Sequence, residues 1–277
     1  MGLRINTNAG SLAAQRSLTN NQRALNNNLR KLSSGYRITR ASDDAAGLAI
    51  SEKLRADIRS NRQAKRNAGD GISMIQTAEG AISEISNIIV RLRELAVQSA
   101  TDTLSDNERS FSDIEFQQLT DEIERISQST SFNGKTLLNG SAGLLEFQIG
   151  GKNDPNLDRL QFDFSQANTS VFSLGIGGFS IGQKLGAQNA LSGLDQALTQ
   201  VNGVRAKMGA FQNRMESIIT NLSIADENLS EANSRVRDLD IAQETAEMAK
   251  NNILVQSGAS VLSQSNATPG VALKLLS

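Results

Sequence analysis

The sequence predicts a mainly α protein, two long helical halves joined by a small β insert. Three observations carry this. Apolar residues recur in alternating steps of three and four on both sides of the centre. The prolines are confined to Pro155 and Pro269, which leaves room for long unbroken helices. Between the halves, Asn-Gly turn signals and short alternating runs replace the helical rhythm.

Residues 1–42 carry Arg4, Arg16, Arg23, Arg30, Lys31, Arg37 and Arg40 and no acid. Leu18, Leu25 and Leu32 recur every seven residues there, helped by Leu12 and Leu29. Asp43 and Asp44 offer a helix start before Ala45, with acids at the positive end of the dipole. One helix is expected over 45–98, with Ile75, Ala78, Ile82, Ile85, Ile89, Leu92 and Ala96 as its seam and Gly69 and Gly71 as weak points. Ser105 and Glu108 form a capping-box pattern that opens a shorter helix. Phe116, Leu119, Ile123 and Ile126 make its stripe, and it ends near Ser129.

Asn133-Gly134 and Asn139-Gly140 mark turns. Leu145, Phe147 and Ile149 alternate with polar or small neighbours, as do Leu160, Phe162 and Phe164, and both runs read as half-buried strands. Phe172, Leu174 and Ile176 suggest a third strand before a Gly-rich stretch.

The second half carries the clearest pattern. Ala190, Leu194, Ala197, Val201, Val204, Met208, Phe211, Met215, Ile218, Leu222, Ala225, Leu229, Ala232, Val236 and Leu239 alternate in steps of four and three. That is a coiled-coil seam. A core-facing stripe of a globular bundle gives the same spacing, but the uncapped length favours a rod. Residues 226–247 are acidic, and the chain closes with Ile253, Leu254, Val261, Leu262 and Leu275. Both ends are rich in Asn, Gln and Ser and carry thin apolar stripes, so they are expected to order only on association.

Composition excludes whole classes of chemistry. The 277 residues hold no Cys, His or Trp. Thiolate metal sites, disulfides, imidazole bases and histidine-ligated zinc are therefore excluded, and no metal or other cofactor is expected. Gly134-Lys135-Thr136 imitates the tail of a phosphate loop, but position 129 is Ser where the motif needs Gly. The basic start lacks aromatic stacking residues, so nucleic acid is not an expected partner. No apolar run approaches the ~20 residues of a transmembrane helix, and no apolar core of a cleaved signal peptide follows the first basic residue.

Three stretches then carry a family resemblance. Leu32-Ser-Ser-Gly-Tyr-Arg-Ile-Thr-Arg-Ala-Ser-Asp-Asp-Ala-Ala-Gly-Leu-Ala-Ile50, Arg93-Glu-Leu-Ala-Val-Gln-Ser-Ala100 and Ile253-Leu-Val-Gln-Ser-Gly-Ala-Ser-Val-Leu-Ser-Gln-Ser-Asn266 resemble the terminal signatures of bacterial flagellin. The resemblance implies a long antiparallel helical rod or coiled coil built from the N- and C-terminal halves, with a small β-hairpin insert. Residues 1–42 and 237–277 would form an inner coiled coil lining a channel. Residues 43–131 and 188–236 would form the rod, and 132–187 the insert. Most of the variable outer domains of larger flagellins are missing.

The function implied is that of a structural, non-enzymatic filament subunit for swimming motility. It would be exported unfolded by a type III apparatus and polymerised at the distal tip, giving an extracellular location without a cleaved signal. Implied partners are other copies of the chain, hook-associated junction and cap proteins, and the export apparatus with its chaperone. A hook–filament junction protein of the same assembly is the alternative. Arg91, Leu95, Gln98 and Glu115 match the positions through which an animal innate immune receptor contacts the family.

Overall fold

The computed structural model describes residues 7–274. Five helices dominate: α1 (Ala9–Ser34), α2 (Ala45–Ser99), α3 (Asp106–Ser129), α4 (Lys184–Arg237) and α5 (Ile241–Lys274). Short strands lie between α3 and α4, namely β1 (Ser131–Phe132), β2 (Lys135–Thr136), β3 (Leu144–Gln148) and β4 (Arg159–Asp163). A 3₁₀ turn follows at Phe164–Ala167. The described residues pack as two compact units. One takes those up to Ala56 with those from Asn228 on; the other is Asp57–Glu227.

In the larger unit, α2 runs through Gly69 and Gly71 without a break. Its residues Ile75, Ile82, Ile85, Ile89 and Leu92 are fully buried. They pack in one core with the α4 residues Leu194, Val201, Val204, Met208, Phe211 and Met215 and with Phe116 and Ile123 of α3. Ion pairs fix α2 and α4 as antiparallel, Arg93 with Asp195 at 2.7 Å and Arg62 with Asp226 at 3.0 Å. The start of α3 is the expected capping box: Ser105 accepts from the Glu108 N–H while the Glu108 carboxylate accepts from the Ser105 N–H.

The Asn-Gly reading holds at residues 133–134. β1 and β2 form an antiparallel hairpin in which Asn133 and Gly134 both have positive φ, 49° and 79°. That is the demand of a tight two-residue turn, which Asn and Gly meet at least cost. β3 and β4 pair antiparallel with Phe147 opposite Leu160 and Leu145 opposite Phe162. Phe162 stacks edge-on against Phe211 at 4.9 Å and Phe164 at 4.7 Å, and so closes the core over α4. Ile149 and Phe164 lie just past the strand ends. The loop between β3 and β4 is exposed over residues 151–157. Its neck is tied by Gly150 N–H to the Asp158 carbonyl at 3.1 Å and by Asp154 N–H to the Asp158 carboxylate at 2.9 Å.

Three expectations are corrected. Residues 172–176 are not a strand. They form turns in which Leu174 and Ile176 are buried while Phe172 is 94% exposed. The segment is strapped to α3 instead: the Val171 N–H donates to Glu124 at 2.8 Å and the Ile181 N–H to Asp113 at 2.7 Å. Between these two ties the Leu174, Gly175 and Ile176 N–H groups donate to the Ser170, Phe172 and Val171 carbonyls, turn bonds that leave those donors unavailable to a ladder. Second, the long seam does not reach Leu239 inside a helix. α4 ends at Arg237, and from Ile218 to Val236 the seam residues, Leu222 and Leu229 among them, are only half-buried. Third, Asp43 is not the cap of α2. The Asp44 side chain accepts from the Gly47 N–H at 2.8 Å, and Asp43 closes the turn before it.

Candidate assembly surfaces

The smaller unit is built on α1 and α5, which lie antiparallel. Asn8 meets Ser265, Ser11 meets Asn266, and Lys31 lies 3.7 Å from Glu244 near the other end. α1 starts with Asn8 as N-cap and ends on Gly35, whose φ of 72° lets its N–H reach the Lys31 carbonyl. Leu18, Leu25 and Leu32 are half-buried along this pair, as is Leu262. Leu29, Ile253, Leu254 and Val261 point elsewhere and are 50%, 63%, 40% and 57% exposed. The expected inner residues thus fall into two sets, one joining the two helices and one left facing outward. Leu275 lies outside the described residues.

The turn from α1 to α2 is held by one carboxylate. Asp43 accepts from the Thr39 hydroxyl at 2.9 Å, the Thr39 N–H at 3.1 Å and the Arg40 N–H at 3.0 Å. The Thr39 hydroxyl bond is the main cause holding this carboxyl below its usual range. It acts against desolvation, and the two N–H bonds and the Arg30 charge add to it. The Thr39 hydroxyl in turn accepts from Arg30 Nε at 3.0 Å.

This turn also clasps the link from α4 to α5. Tyr36 and Asp238 form an isolated antiparallel bridge. The Arg37 N–H donates to the Arg237 carbonyl at 2.8 Å, and the Leu239 N–H to the Gly35 carbonyl at 3.0 Å. Leu239 is thus held by backbone pairing in the connection, not by a helical seam. Arg237 lies over the Tyr36 ring at 4.7 Å and donates to Glu52 at 2.6 Å. That hydrogen bond lowers the Glu52 pKa. Sequence reasoning missed this clasp, because its partners are some 200 positions apart in the chain.

On the larger unit, Arg91 donates to Glu115 at 2.8 Å and to Glu94 at 3.1 Å. Gln98 is exposed and lines a shallow hollow with Val90, Arg93, Glu94 and Val97. Leu95 is only 2% exposed and belongs to the core. The four positions are therefore not one exposed cluster: the structure joins Arg91 and Glu115 and turns Leu95 inward. Among the described residues no helix is long and apolar enough to cross a membrane.

Known proteins show the same architecture. Residues 5–143 match the model of the bacterial flagellin N-terminal helical region, and residues 191–276 that of the C-terminal helical region. A flagellin of Halalkalibacterium halodurans is 43% identical over 98% of this chain and 99% of its own length. A flagellin of Bacillus subtilis is 42% identical over 99% of this chain and 100% of its own. The crystal structure of Bacillus cereus flagellin superposes with a TM-score of 0.50 at 31% identity, covering 57% of this chain and 88% of that one. With both helical regions matched and relatives aligned end to end, the chain belongs to the bacterial flagellins, a family of structural, non-enzymatic proteins.

Proposed function

We propose that the chain is the repeating subunit of a flagellar filament, self-assembling into a helical polymer outside the cell. Family membership supports the filament role. The observation that carries the assembly reading is the outward apolar set of the smaller unit, Leu29, Ile253, Leu254 and Val261, on two helices with thin stripes of their own. Large apolar side chains on such helices gain by burial against further copies. A contact that repeats without closing makes an open helical filament.

In this reading the inner domain comprises 1–42 and 237–277, and its helices order as the subunit joins the polymer. The rod is 43–131 and 188–236, and the insert 132–187 lies against it. The chain reaches the distal tip unfolded, through a type III apparatus with its chaperone and without a cleaved signal, and meets junction and cap proteins at the filament ends. Arg91, Gln98 and Glu115 offer a polar surface to an animal innate receptor, with Leu95 acting from beneath by fixing the α2 backbone.

Seeded polymerisation followed by electron microscopy tests the central point. The full chain is expected to extend seeds into long tubes, and a chain lacking residues 1–35 is expected not to. A full chain that caps seeds without extending them is instead a junction protein.

A further inference from the structure

The pairing of α1 with α5 poses a register problem. Its apolar contacts repeat every seven residues on both sides: Leu18, Leu25 and Leu32 on α1, and Met248, Val255 and Leu262 on α5, all half-buried. A slip of one heptad puts each leucine where its neighbour was. The apolar seam alone therefore leaves neighbouring registers nearly equivalent.

Two polar features break this equivalence. The first comes from Pro269. Proline has no N–H, so the Ser265 carbonyl four residues back loses its helical donor. Asn8 Nδ2 donates to that carbonyl at 2.7 Å, while Asn8 Oδ1 accepts from the Ser11 N–H at 3.1 Å. One amide thus caps α1 and fills the gap in α5. Beside it, the Ser11 hydroxyl donates to Asn266 Oδ1 at 2.6 Å.

The second feature lies further along the pair. Asn28 and Asn251 are 5% and 6% exposed, the buried polar residues of this seam. Asn251 Nδ2 donates to Asn28 Oδ1 at 3.5 Å. Turned over, the Asn28 amide instead donates to the Ala24 carbonyl and accepts from the Met248 N–H at 3.2 Å. In both orientations it reaches across to α5.

We infer that these asparagines, with the carbonyl freed by Pro269, set the axial register that the leucine repeat leaves open. A slip that brings Ser265 to Leu18 moves Asn28 toward Val255 and Gly258, and Asn251 toward Leu32. Neither amide then meets the other, and the Ser265 carbonyl loses Asn8. A buried amide without a partner disfavours that state, and a single polar seam position is a well-attested means of fixing helix register.

The native chain has no cysteine, which makes the register readable. A Cβ built on Gly258 lies 3.8 Å from the Leu18 Cβ, inside the ~3.5–4.5 Å span of disulfides. The full-length chain carrying L18C, G258C and S265C is equilibrated in a glutathione buffer while it extends seeds, so that α1 and α5 are ordered, then digested, and its cross-links counted by mass spectrometry. The thiol at position 18 then divides between 258, the native register, and 265, the slipped one. Electron microscopy reads polymerisation separately. A chain that stays soluble with α1 and α5 paired is trapped in solution in the same way, so failure of the proposed function and failure of the register are distinguishable.

Position 258 is expected to win by about tenfold or more, and adding N8A, N28L and N251L to lower the ratio at least about fivefold. An unchanged ratio overturns the inference. N8A alone is expected to shift the ratio in the Pro269 chain but not in P269A, where the helical donor is restored. An equal shift in both backgrounds shows that Asn8 acts only as the α1 cap and removes Pro269 from the device.

Discussion

The buried guanidinium of Arg109 donates to the Ser99 carbonyl at 3.0 Å and to the Thr101 carbonyl at 2.7 Å. It thereby closes the C-terminal end of α2 from the first turn of α3, with Asp106 at 2.7 Å as its counter-charge. Carbonyls at a helix end have no helical donor of their own. Arg109→Met is expected to lower unfolding stability by about 2–3 kcal/mol in a urea titration. Arg109→Lys should recover little of this, because a compact ammonium does not reproduce the planar fork.

Two glycines should respond in opposite directions. Gly69 lies inside α2 with nothing near the position of a Cβ, so Gly69→Ala should raise stability by about 0.5–1 kcal/mol. At Gly186, in the first turn of α4, a Cβ would run into the Ser180 carbonyl, a backbone atom with little freedom to retreat. Gly186→Ala should lower the melting temperature, and an equal rise in both variants would contradict this packing.

The aromatic lid over α4 gives a second contrast. Phe211 contacts the rings of Phe147 at 5.8 Å and Phe162 at 4.9 Å. Phe211→Ala should cost about 3–5 kcal/mol by leaving a cavity. Phe172 is almost wholly exposed, and Phe172→Ser should change stability by less than about 0.5 kcal/mol. Denaturant midpoints for the pair test whether Phe211 lies in the core and Phe172 outside it.

Acid should loosen the turn between α1 and α2. The Asp43 carboxyl is held below its usual range in the fold, so the folded state binds its proton less readily than the unfolded one. Its contribution is present above the ordinary carboxylate pKa and is lost as pH falls through the lowered value. Asp43→Asn should remove part of the acid dependence of unfolding, seen as a shallower loss of stability below about pH 4. An unaltered slope would show that the turn does not titrate through this group.

Local signals were the legible ones. Ser105 and Glu108 cap a helix within three residues, and Asn133-Gly134 turns a hairpin within two, so neighbours in sequence contain the whole cause. Residues 172–176 misled because alternation also arises in turns whose alternate side chains reach a core. Their flanks are held from far away in the chain, Val171 by Glu124, 47 positions earlier, and Ile181 by Asp113, 68 positions earlier. Leu239 continued the seam in sequence, but backbone pairing with Gly35 diverts the chain there. In the candidate assembly surfaces, leucine spacing drew attention to Leu18, Leu25 and Leu32. Asn28 and Asn251 carry no signal of their own in the sequence, because only the partner helix makes them buried.

The loop between β3 and β4 leaves and re-enters the hairpin through a neck tied by the Gly150 and Asp158 backbones, and residues 151–157 contribute nothing to the core. Lengthening such a closed loop adds only a slowly growing entropic cost. The hairpin can therefore serve as a socket: foreign peptide grafted at this tip leaves the Phe162–Phe211 lid untouched, and a polymer of the chain would display that cargo once per subunit in a regular array.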